Sequence, residues 1–464
     1  MKTNKLIAAG AMALSMAMTP VASLINAMPI AAQTVTIDQS TEVKNHDYVA
    51  YKIFSGTASG ENLTQITWAT GVNGEAIINL LDDETDGIPA LTGAKSAADL
   101  ADKLQTGGET VAKEFAKLLD NHTDLLGTPV SIVSGSTDLP AGYYLLKDTS
   151  TNQEQNVVGL SILKVSTKPI TIIPKNGKPG VDKQVQDNDG VDPDATQENG
   201  YWGETADHDL NTNFQFRLST TDLTYEKIAN YDEYYLEFQD SWSEGIDYIG
   251  NVTVKVNGED KTQSFIVQPN TEARTLSVKI TNLKSVLAAN GTGAINVVVE
   301  YTAKLNNNAL ISNTALSNEN TVELVYSNDP NTNGIGKSEP DKVFVGSLQL
   351  ENMKTDTDNE PLQGAKFKLK NSENKYASFN DSGVFQGWTD SGTEVTSGSD
   401  GKFIMKGIDA GTYTLEETEA PEGYTKAEDM TVTIEATEHK EADDGNSATI
   451  TIKVNNEDAN GVTV

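Results

Sequence analysis

The sequence predicts a mainly β protein, an elongated tandem of β-sandwich domains of which the first is decorated with helix. From residue 178 onward, short segments that alternate apolar and polar residues recur between turns rich in Gly, Asn and Asp. This spacing is typical of Greek-key sandwiches. The chain has 464 residues, a length that three domains of ordinary size would fill.

The N-terminal segment resembles an export signal. Lys2 and Lys5 precede the apolar run "LIAAGAMALSMAM", and small residues follow it, which is the order of charge, apolar core and cleavage site in a signal peptide. We predict a signal peptide over residues 1–32, with cleavage near Ala27 or Ala32. The apolar run is short for a membrane anchor, so we expect the mature protein to work outside the membrane.

Residues 33–177 are predicted to form an N-terminal domain that mixes strands and helix. The segments "YVAYKIFSG" and "YYLLKDT" alternate as strands do. Between them, residues 96–122 carry apolar side chains at helical spacing. Gly107 and Gly108 interrupt that pattern, so we expect two helical pieces rather than one.

Two further β domains follow. Residues 178–333 contain seven strand-like segments and are predicted to form a middle sandwich. Residues 334–341 have the Gly, Ser and Pro content of a linker. Residues 342–464 are again strand-rich and form the predicted C-terminal domain.

Composition excludes several classes of function. The 67 acidic and 34 basic residues leave a net charge of −33, which repels nucleic acid and anionic membranes. There is no cysteine and there are four scattered histidines, so thiol catalysis is excluded and neither a zinc site nor any other metal or cofactor is predicted. An exported protein without disulfides needs large cores or another kind of cross-link.

Four motifs point to one family. The most specific is "YTLEETEAPEGY", Tyr413 to Tyr424; the others are "IIPKN", "GSLQLENMKTDTDNEPLQGAKFKL" and "NENTVELVYSNDPN". With these motifs the chain resembles the sortase-assembled backbone (major) pilins, the fimbrial subunits of Gram-positive bacteria with collagen-adhesin B-type domains. The resemblance covers nearly the whole chain and implies sandwiches of the immunoglobulin-like, collagen-adhesin type. The first motif matches the family's E-box, and "IIPKN" matches its pilin motif.

The E-box indicates a buried acid in the C-terminal domain. Side chains alternate along a strand, so Tyr413, Leu415 and Glu417 share one face. A buried carboxyl group is costly to ionise, and we expect the pKa of Glu417 to be raised. The resemblance implies that Glu417 catalyses an intramolecular isopeptide bond from Lys354, on the first strand, to an asparagine on the last. By strand parity we prefer Asn456 to Asn455 as that acceptor.

The middle domain contains a second candidate set. Lys183 lies at an inward position of "VDKQV", which is unusual for a charged residue unless it reacts. The resemblance maps the family's catalytic aspartate onto Asp240. Asn320 shares strand parity with apolar neighbours and is the preferred acceptor, with Asn318 as the alternative.

Lys175 in "IIPKN" is the candidate for linkage between subunits. Pro174 favours an extended approach to it and turn residues follow, so we expect an exposed amine. In the resembled family, a class C-type sortase joins the C-terminal threonine of one subunit to this lysine of the next. That family carries an LPXTG-like sorting signal, an apolar span and a basic tail, and we interpret the present sequence as trimmed ahead of them at Val464.

The sequence therefore predicts a structural protein and not an enzyme with turnover. The expected role is the major subunit of a covalently polymerised pilus or fimbria, secreted and attached to the cell wall, supporting adhesion or biofilm formation. Its expected partners are further copies of itself and the sortase, and minor pilins and a host glycan or matrix protein are further candidates. The alternative is an ancillary pilin or a monomeric cell-wall adhesin that binds a host protein or glycan.

Overall fold

The computed structural model describes ten segments of the chain: residues 32–37, 47–83, 87–132, 136–149, 159–172, 178–229, 231–330, 334–440, 448–455 and 461–464. They divide into two compact units, the first made of residues 1–178, 227–232 and 327–336 and the second of residues 179–226, 233–326 and 337–464. The predicted signal peptide up to residue 31 and the pilin-motif Lys175 lie outside the described residues. Within those residues, no helix has the length and apolar character needed to cross a membrane.

The N-terminal segment combines two small sheets with helices, as predicted. One sheet has the strand order β5-β1-β8 and the other β3-β2-β6-β7, with β4 beside β2. The bounds of these elements are β1 Gln33–Ile37, β2 Tyr48–Ser59, β3 Asn62–Trp68, α1 Gly74–Leu81, α2 Ala97–Asn121, β4 Val130–Ile132, β5 Ser136–Leu139, β6 Gly142–Asp148, β7 Leu160–Val165 and β8 Ile170–Ile172, with a 3-10 turn at Thr123–Leu125.

Local sequence explains where the helices begin and break. Asn73 and Ser96 cap α1 and α2 by accepting hydrogen bonds from backbone N–H groups of the first turn. Gly108 has φ +69° inside α2 and divides it into two helical pieces, a conformation that favours glycine. The predicted interruption is therefore confirmed.

Two apolar cores hold the N-terminal segment together. The first lies between the two sheets and includes Val35 of β1 and Tyr144 of β6. The second lies between the larger sheet and the helices, where Phe54 of β2 and Phe115 of α2 are fully buried. The alternation of β6, which buries residues on both faces, joins the two cores.

The middle sandwich has two sheets built from strands of the range β9–β23, except that β20 joins the C-terminal sheet, and β22 pairs with β21 beside them. Their strand orders are β10-β11-β9-β13-β19-β15-β16 and β12-β23-β21-β14-β18-β17. The bounds are β9 Gly180–Asp187, β10 Thr196–Gln197, β11 Tyr201–Gly203, β12 Thr205–Asp207, β13 Asn213–Thr221, α3 Tyr225–Ile228, β14 Leu236–Trp242, β15 Ile246–Val256, β16 Glu259–Asp260, β17 Ile266–Asn270, β18 Thr275–Ile280, β19 Val297–Leu305, β20 Ala315–Leu316, β21 Asn318–Ser327, β22 Ile335–Lys337 and β23 Asp341–Gly346, with 3-10 turns at Thr262–Ser264 and Leu283–Val286.

The C-terminal sandwich comprises β24–β32. Its larger sheet has the order β32-β31-β30-β25-β26-β27, with β28 beside β25 and the short β20 added at the β32 edge, and its smaller sheet pairs β24 with β29. The bounds are β24 Leu348–Met353, β25 Lys366–Lys370, β26 Tyr376–Phe379, β27 Phe385–Thr389, β28 Val395–Thr396, β29 Lys402–Ile408, β30 Gly411–Glu419, β31 Met430–Lys440 and β32 Ala448–Val454.

Strand pairing places the boundary between the two sandwiches at a higher residue number than the composition of the sequence predicts. The expected linker over 334–341 contains β22, and β23 (Asp341–Gly346), which the sequence analysis placed in the C-terminal domain, pairs with β21 and β12 of the middle sandwich. The linker composition ends at Asp341, but the turn residues at which the chain changes sheet, Gly346 and Ser347, come only after the next apolar run. We therefore propose a boundary near Ser347.

The buried aromatic residue of α2 allows a test of the second N-terminal core. We expect Phe115→Ala to lower the free energy of unfolding of this unit by about 3–5 kcal/mol, because it removes a fully buried ring and leaves a cavity. The exposed neighbour supplies the control: Glu114→Ala should change it by less than about 0.5 kcal/mol. Urea unfolding followed by circular dichroism measures both, and equal effects would contradict this core.

Candidate functional site

The middle sandwich brings Lys183, Asp240 and Asn320 together in its core. Lys183 projects from β9 of one sheet, and its Nζ donates to Asp240 Oδ1, on β14 of the other sheet, at 2.7 Å. Both side chains are fully buried. In the ladder between β14 and β21, Asp240 lies opposite Val322 and Trp242 opposite Asn320. Asp240 and Asn320 are therefore diagonal neighbours on the same inward face.

Tyr301 connects the acid to the amide. Its hydroxyl donates to Asp240 Oδ2 at 2.5 Å and accepts from Asn320 Nδ2 at 2.5 Å. Asn320 Oδ1 is buried and has no hydrogen-bond partner among the described residues. The four side chains thus form one network that spans both sheets, with one carbonyl oxygen left open to a donor.

The surroundings favour neutral forms of the lysine and the acid. Burial lowers the pKa of Lys183, against the opposing attraction of Asp240. Burial also raises the pKa of Asp240, against the opposing effects of Lys183 and of its hydrogen bonds. Desolvation disfavours both charged forms, so burial moves Lys183 towards the free amine and Asp240 towards the carboxylic acid.

Apolar and backbone contacts fix the position of the lysine. Its Nζ lies 5.1 Å from the ring centroid of Phe216 and 5.9 Å from that of Tyr301. Its backbone N–H donates to Asp341 Oδ2 at 2.7 Å. The side chain is therefore held between two rings and directed at the second sheet.

The two candidate asparagines of β21 have different partners. The Asn318 Oδ1 accepts from the backbone N–H of Leu310, and its Nδ2 donates to the carbonyl oxygens of Leu310 and Val345. Its amide is fully engaged in holding a loop. Asn320 faces Asp240 and Tyr301 instead, so the geometry favours Asn320 over Asn318 as an acceptor.

The C-terminal sandwich repeats the pairing of a lysine with an acid. Lys354 follows β24, and its Nζ lies 3.2 Å from both carboxylate oxygens of Glu417 on β30. Both residues are buried. The backbone N–H of Ala427 donates to Glu417 Oε2 at 2.5 Å. The expected burial alternation holds, since Tyr413, Leu415 and Glu417 all point inward.

The acceptor of the C-terminal site was expected at the end of β32. Asn455 is exposed, with φ +53°, and its Oδ1 accepts from the backbone N–H of Thr433, so its side chain is directed away from the core. Asn456, the preferred residue, lies outside the described residues. Close to Lys354, the backbone of Met353 pairs with Val462 and Val464, so the end of the chain runs beside β24.

Two participants were not anticipated from the sequence. Tyr301 lies on the same strand face as the buried Val297 and Val299, and a tyrosine at such an inward position in "INVVVEYTAKL" is the signal that was available. The Ala427 backbone donor had no signal, because its position depends on how the loop after the E-box folds back.

The middle site holds the three kinds of group that an amide exchange requires, and the C-terminal site holds two of them among the described residues. A free amine is nucleophilic, a carboxylic acid can polarise a carbonyl group and relay protons, and a side-chain amide carries a leaving group. The middle sandwich places all three types of group in one buried network. The C-terminal sandwich places the amine beside the acid.

Two segments of the chain match models of known domain families. Residues 214–330 match the family model of the Gram-positive pilin backbone subunit 2, Cna-B-like domain, and residues 348–459 match that of SpaA, a prealbumin-like fold domain. This supports a role as a pilus subunit. No curated protein sequence matches the chain.

Solved structures of three major or backbone pilins align with this chain over nearly its full length. The T6 backbone pilin of serotype M6 Streptococcus pyogenes is 16% identical, with 93% of this chain and 97% of that chain covered and a TM-score of 0.53, which shows a shared fold. SpaD from Corynebacterium diphtheriae is 17% identical, with 93% and 96% covered and a TM-score of 0.45. BcpA of Bacillus cereus is 14% identical, with 93% and 97% covered and a TM-score of 0.43.

The hydroxyl of Tyr301 can be tested by deletion. We expect Tyr301→Phe to destabilise the middle sandwich by about 1–3 kcal/mol, because Asp240 Oδ2 loses its hydrogen-bond donor inside the core. Tyr326→Phe is the matched control, since that buried hydroxyl makes only a 3.5 Å contact with the Lys337 carbonyl oxygen. Thermal unfolding compares the two variants, and an equal loss in both would remove the hydroxyl from the network.

Proposed function

We propose that the chain is the structural major subunit of a covalently polymerised Gram-positive pilus, stabilised by self-formed Lys–Asn isopeptide bonds within its sandwiches. The observation that carries the proposal is the fully buried contact between Lys183 Nζ and Asp240, with Asn320 in the same network. An unreactive lysine would be unusual in the centre of a sandwich core.

The reaction requires no external reagent. Lys183 Nζ attacks the side-chain carbonyl carbon of Asn320, while the acid of Asp240 polarises the carbonyl oxygen and relays a proton to the leaving nitrogen. A C–N bond forms, the original amide C–N bond breaks, and one ammonia leaves. Glu417 performs the same role for Lys354 and Asn456. Each bond forms once in its own chain, so the protein is not an enzyme with turnover.

Each bond joins strands that are far apart in sequence. A link from Lys183 to Asn320 connects the two sheets and closes a loop of well over one hundred residues, which by the chain-entropy argument is worth about 5 kcal/mol. A force on the ends of the domain would then load a covalent bond instead of a hydrogen-bonded ladder. In a surface protein without cysteine, such a covalent bond would give the reinforcement that disulfides give in other exported proteins.

Polymerisation itself is assigned to Lys175. In this proposal a class C-type sortase joins the C-terminal threonine of a neighbouring subunit to that lysine, and the finished fibre is attached to the cell wall, where it supports adhesion or biofilm formation. The pilin motif around Lys175 supports the assignment.

Intact mass spectrometry tests the internal bonds. We expect the folded protein to be lighter than its sequence by two ammonia molecules. Asp240→Ala and Glu417→Gln should each be lighter than their own sequences by only one ammonia, because each variant lacks the acid of one site. Peptide mapping should identify the pairs Lys183–Asn320 and Lys354–Asn456.

The control for the C-terminal acid lies on the same strand. Glu419 is exposed on β30, so Glu419→Gln should keep both bonds. An unmodified mass for the folded wild-type protein would refute the isopeptide proposal, and cross-linked peptides through Asn318 or Asn455 would reassign the acceptors.

Assembly in a sortase-expressing cell tests the intermolecular link. We expect a Lys175→Ala subunit that carries a sorting signal to give only monomers, because the acyl-enzyme has no amine to transfer to. Lys178→Ala is the matched control and should give normal high-mass ladders on denaturing gels. Ladders that persist in Lys175→Ala would place the linkage at another lysine.

A further inference from the structure

A second buried group of acids lies where the middle and C-terminal sandwiches meet within the second unit. Asp187 ends β9 and Asp207 ends β12, while Asp409 lies in the turn between β29 and β30. Asp189 is on the exposed side of the same group. One carboxylate oxygen from each of Asp187, Asp189 and Asp207 lies within 4.8 Å of the other two.

Only some of the oxygen atoms of these carboxylates accept hydrogen bonds. Asp187 Oδ2 accepts from the backbone N–H groups of Gly190 and Val191, and Asp207 Oδ2 accepts from that of Ala410. The other oxygen, Oδ1, of Asp187 and of Asp207 is buried and accepts from no donor among the described residues, while the Asp207 carboxyl lies at hydrogen-bonding distance from that of Asp409 and the Asp187 carboxyl from that of Asp189. Both residues are at most 2% exposed, so the open oxygens are not satisfied by bulk water.

Further open oxygens surround this pair. Asp409 Oδ2 accepts from Asn188 Nδ2, but its Oδ1 is buried without a partner. Both carboxylate oxygens of the fully buried Glu438, on β31, are also without partners.

Among the described residues no lysine or arginine pairs with these acids, and the buried His208, which interacts electrostatically with Asp187, directs its Nε2 at the Gln186 carbonyl oxygen. No ion pair of the described chain includes Asp187, Asp207, Asp409 or Glu438, although lysines elsewhere in the same unit pair freely. Uncompensated buried carboxylates are costly. The arrangement calls for a cation or for bound protons.

We propose that Asp187, Asp189, Asp207 and Asp409 bind one calcium ion at the joint between the middle and C-terminal sandwiches. The ligand atoms are all carboxylate oxygens, which suit a hard cation. Zinc and copper prefer nitrogen or sulfur ligands, so this set of ligands does not favour them. Four acids in irregular positions, three of them buried, match the flexible, protein-supplied shell of calcium better than the octahedral and largely hydrated shell of magnesium.

The local sequence agrees with this assignment. Asp187, Asp189 and Gly190 belong to "DNDGVDPD", in which acids alternate around a glycine with φ +79°. The sequence analysis predicted no metal site, since it considered histidine and cysteine ligands. The contributions of Asp207 and Asp409 come from distant segments that only the fold brings together.

A calcium ion here would stiffen the joint. Asp187 and Asp207 belong to the middle sandwich, and Asp409 belongs to the C-terminal one. Hydrogen bonds already cross at this place, from the Ala410 N–H to Asp207 and from Asn188 to Asp409. Neutralising the acids would remove the repulsion across the joint, and ligation would tie the two sandwiches together.

Calcium titration of the full chain tests the proposal. After treatment with a chelator, we expect isothermal titration calorimetry to give one calcium per chain and thermal unfolding to shift upward with added calcium. Asp187→Asn combined with Asp207→Asn should lose both responses. Asparagine keeps an acceptor for the Gly190, Val191 and Ala410 N–H groups, so this variant should fold, and without calcium it should be at least as stable as wild type.

A charge-matched control separates site binding from general attraction to an acidic protein. Asp358→Asn combined with Asp381→Asn removes two exposed carboxylates of the same unit and should leave the calcium response unchanged. Absence of binding in the wild-type protein, equal loss in the control, or a response to magnesium alone would each overturn the calcium assignment. Because the titration does not depend on isopeptide bonds or polymerisation, its result is independent of the proposed pilus function.

Discussion

The burial of Lys183 is the constraint on which the middle sandwich depends. A charged ammonium in a sandwich core is strongly disfavoured, and the side chain is completely removed from water. The core tolerates it because Asp240 lies at 2.7 Å and because burial shifts both pKa values towards the neutral forms. The neutral amine that this shift favours is the nucleophile that the proposed isopeptide bond requires.

The same constraint orders the residues around it. Tyr301 holds the acid and the amide through one hydroxyl, and the two rings beside Nζ exclude water. Lys183 and Tyr301 come from one sheet, and Asp240 and Asn320 come from the other. The reacting groups therefore meet only when the two sheets pack, which couples any bond between them to completed folding.

The C-terminal sandwich accommodates its own buried lysine with a different set of groups. Its lysine follows the first strand, its acid comes from the E-box strand, and a backbone N–H from Ala427 supports the acid in place of a tyrosine. At the joint between the sandwiches, acids without lysines accumulate instead. Buried carboxylates thus face an amine in the two cores and face one another at the joint. We therefore propose amide exchange in the cores and cation binding at the joint.

Strand parity in the sequence by itself determined the inward positions of Lys183, Asn320, Lys354 and Glu417, because side chains alternate strictly along a strand; Asp240 came from the family resemblance. The E-box and the mainly β pattern likewise determined the class of domain. Only the tertiary structure decided how the inward residues meet. It separated Asn320 from Asn318 by their partners, added Tyr301, moved β23 into the middle sandwich, and assembled acids from positions 187 to 409. These features depend on packing between sheets and on loops that fold back, and neither leaves a periodic signal in the sequence.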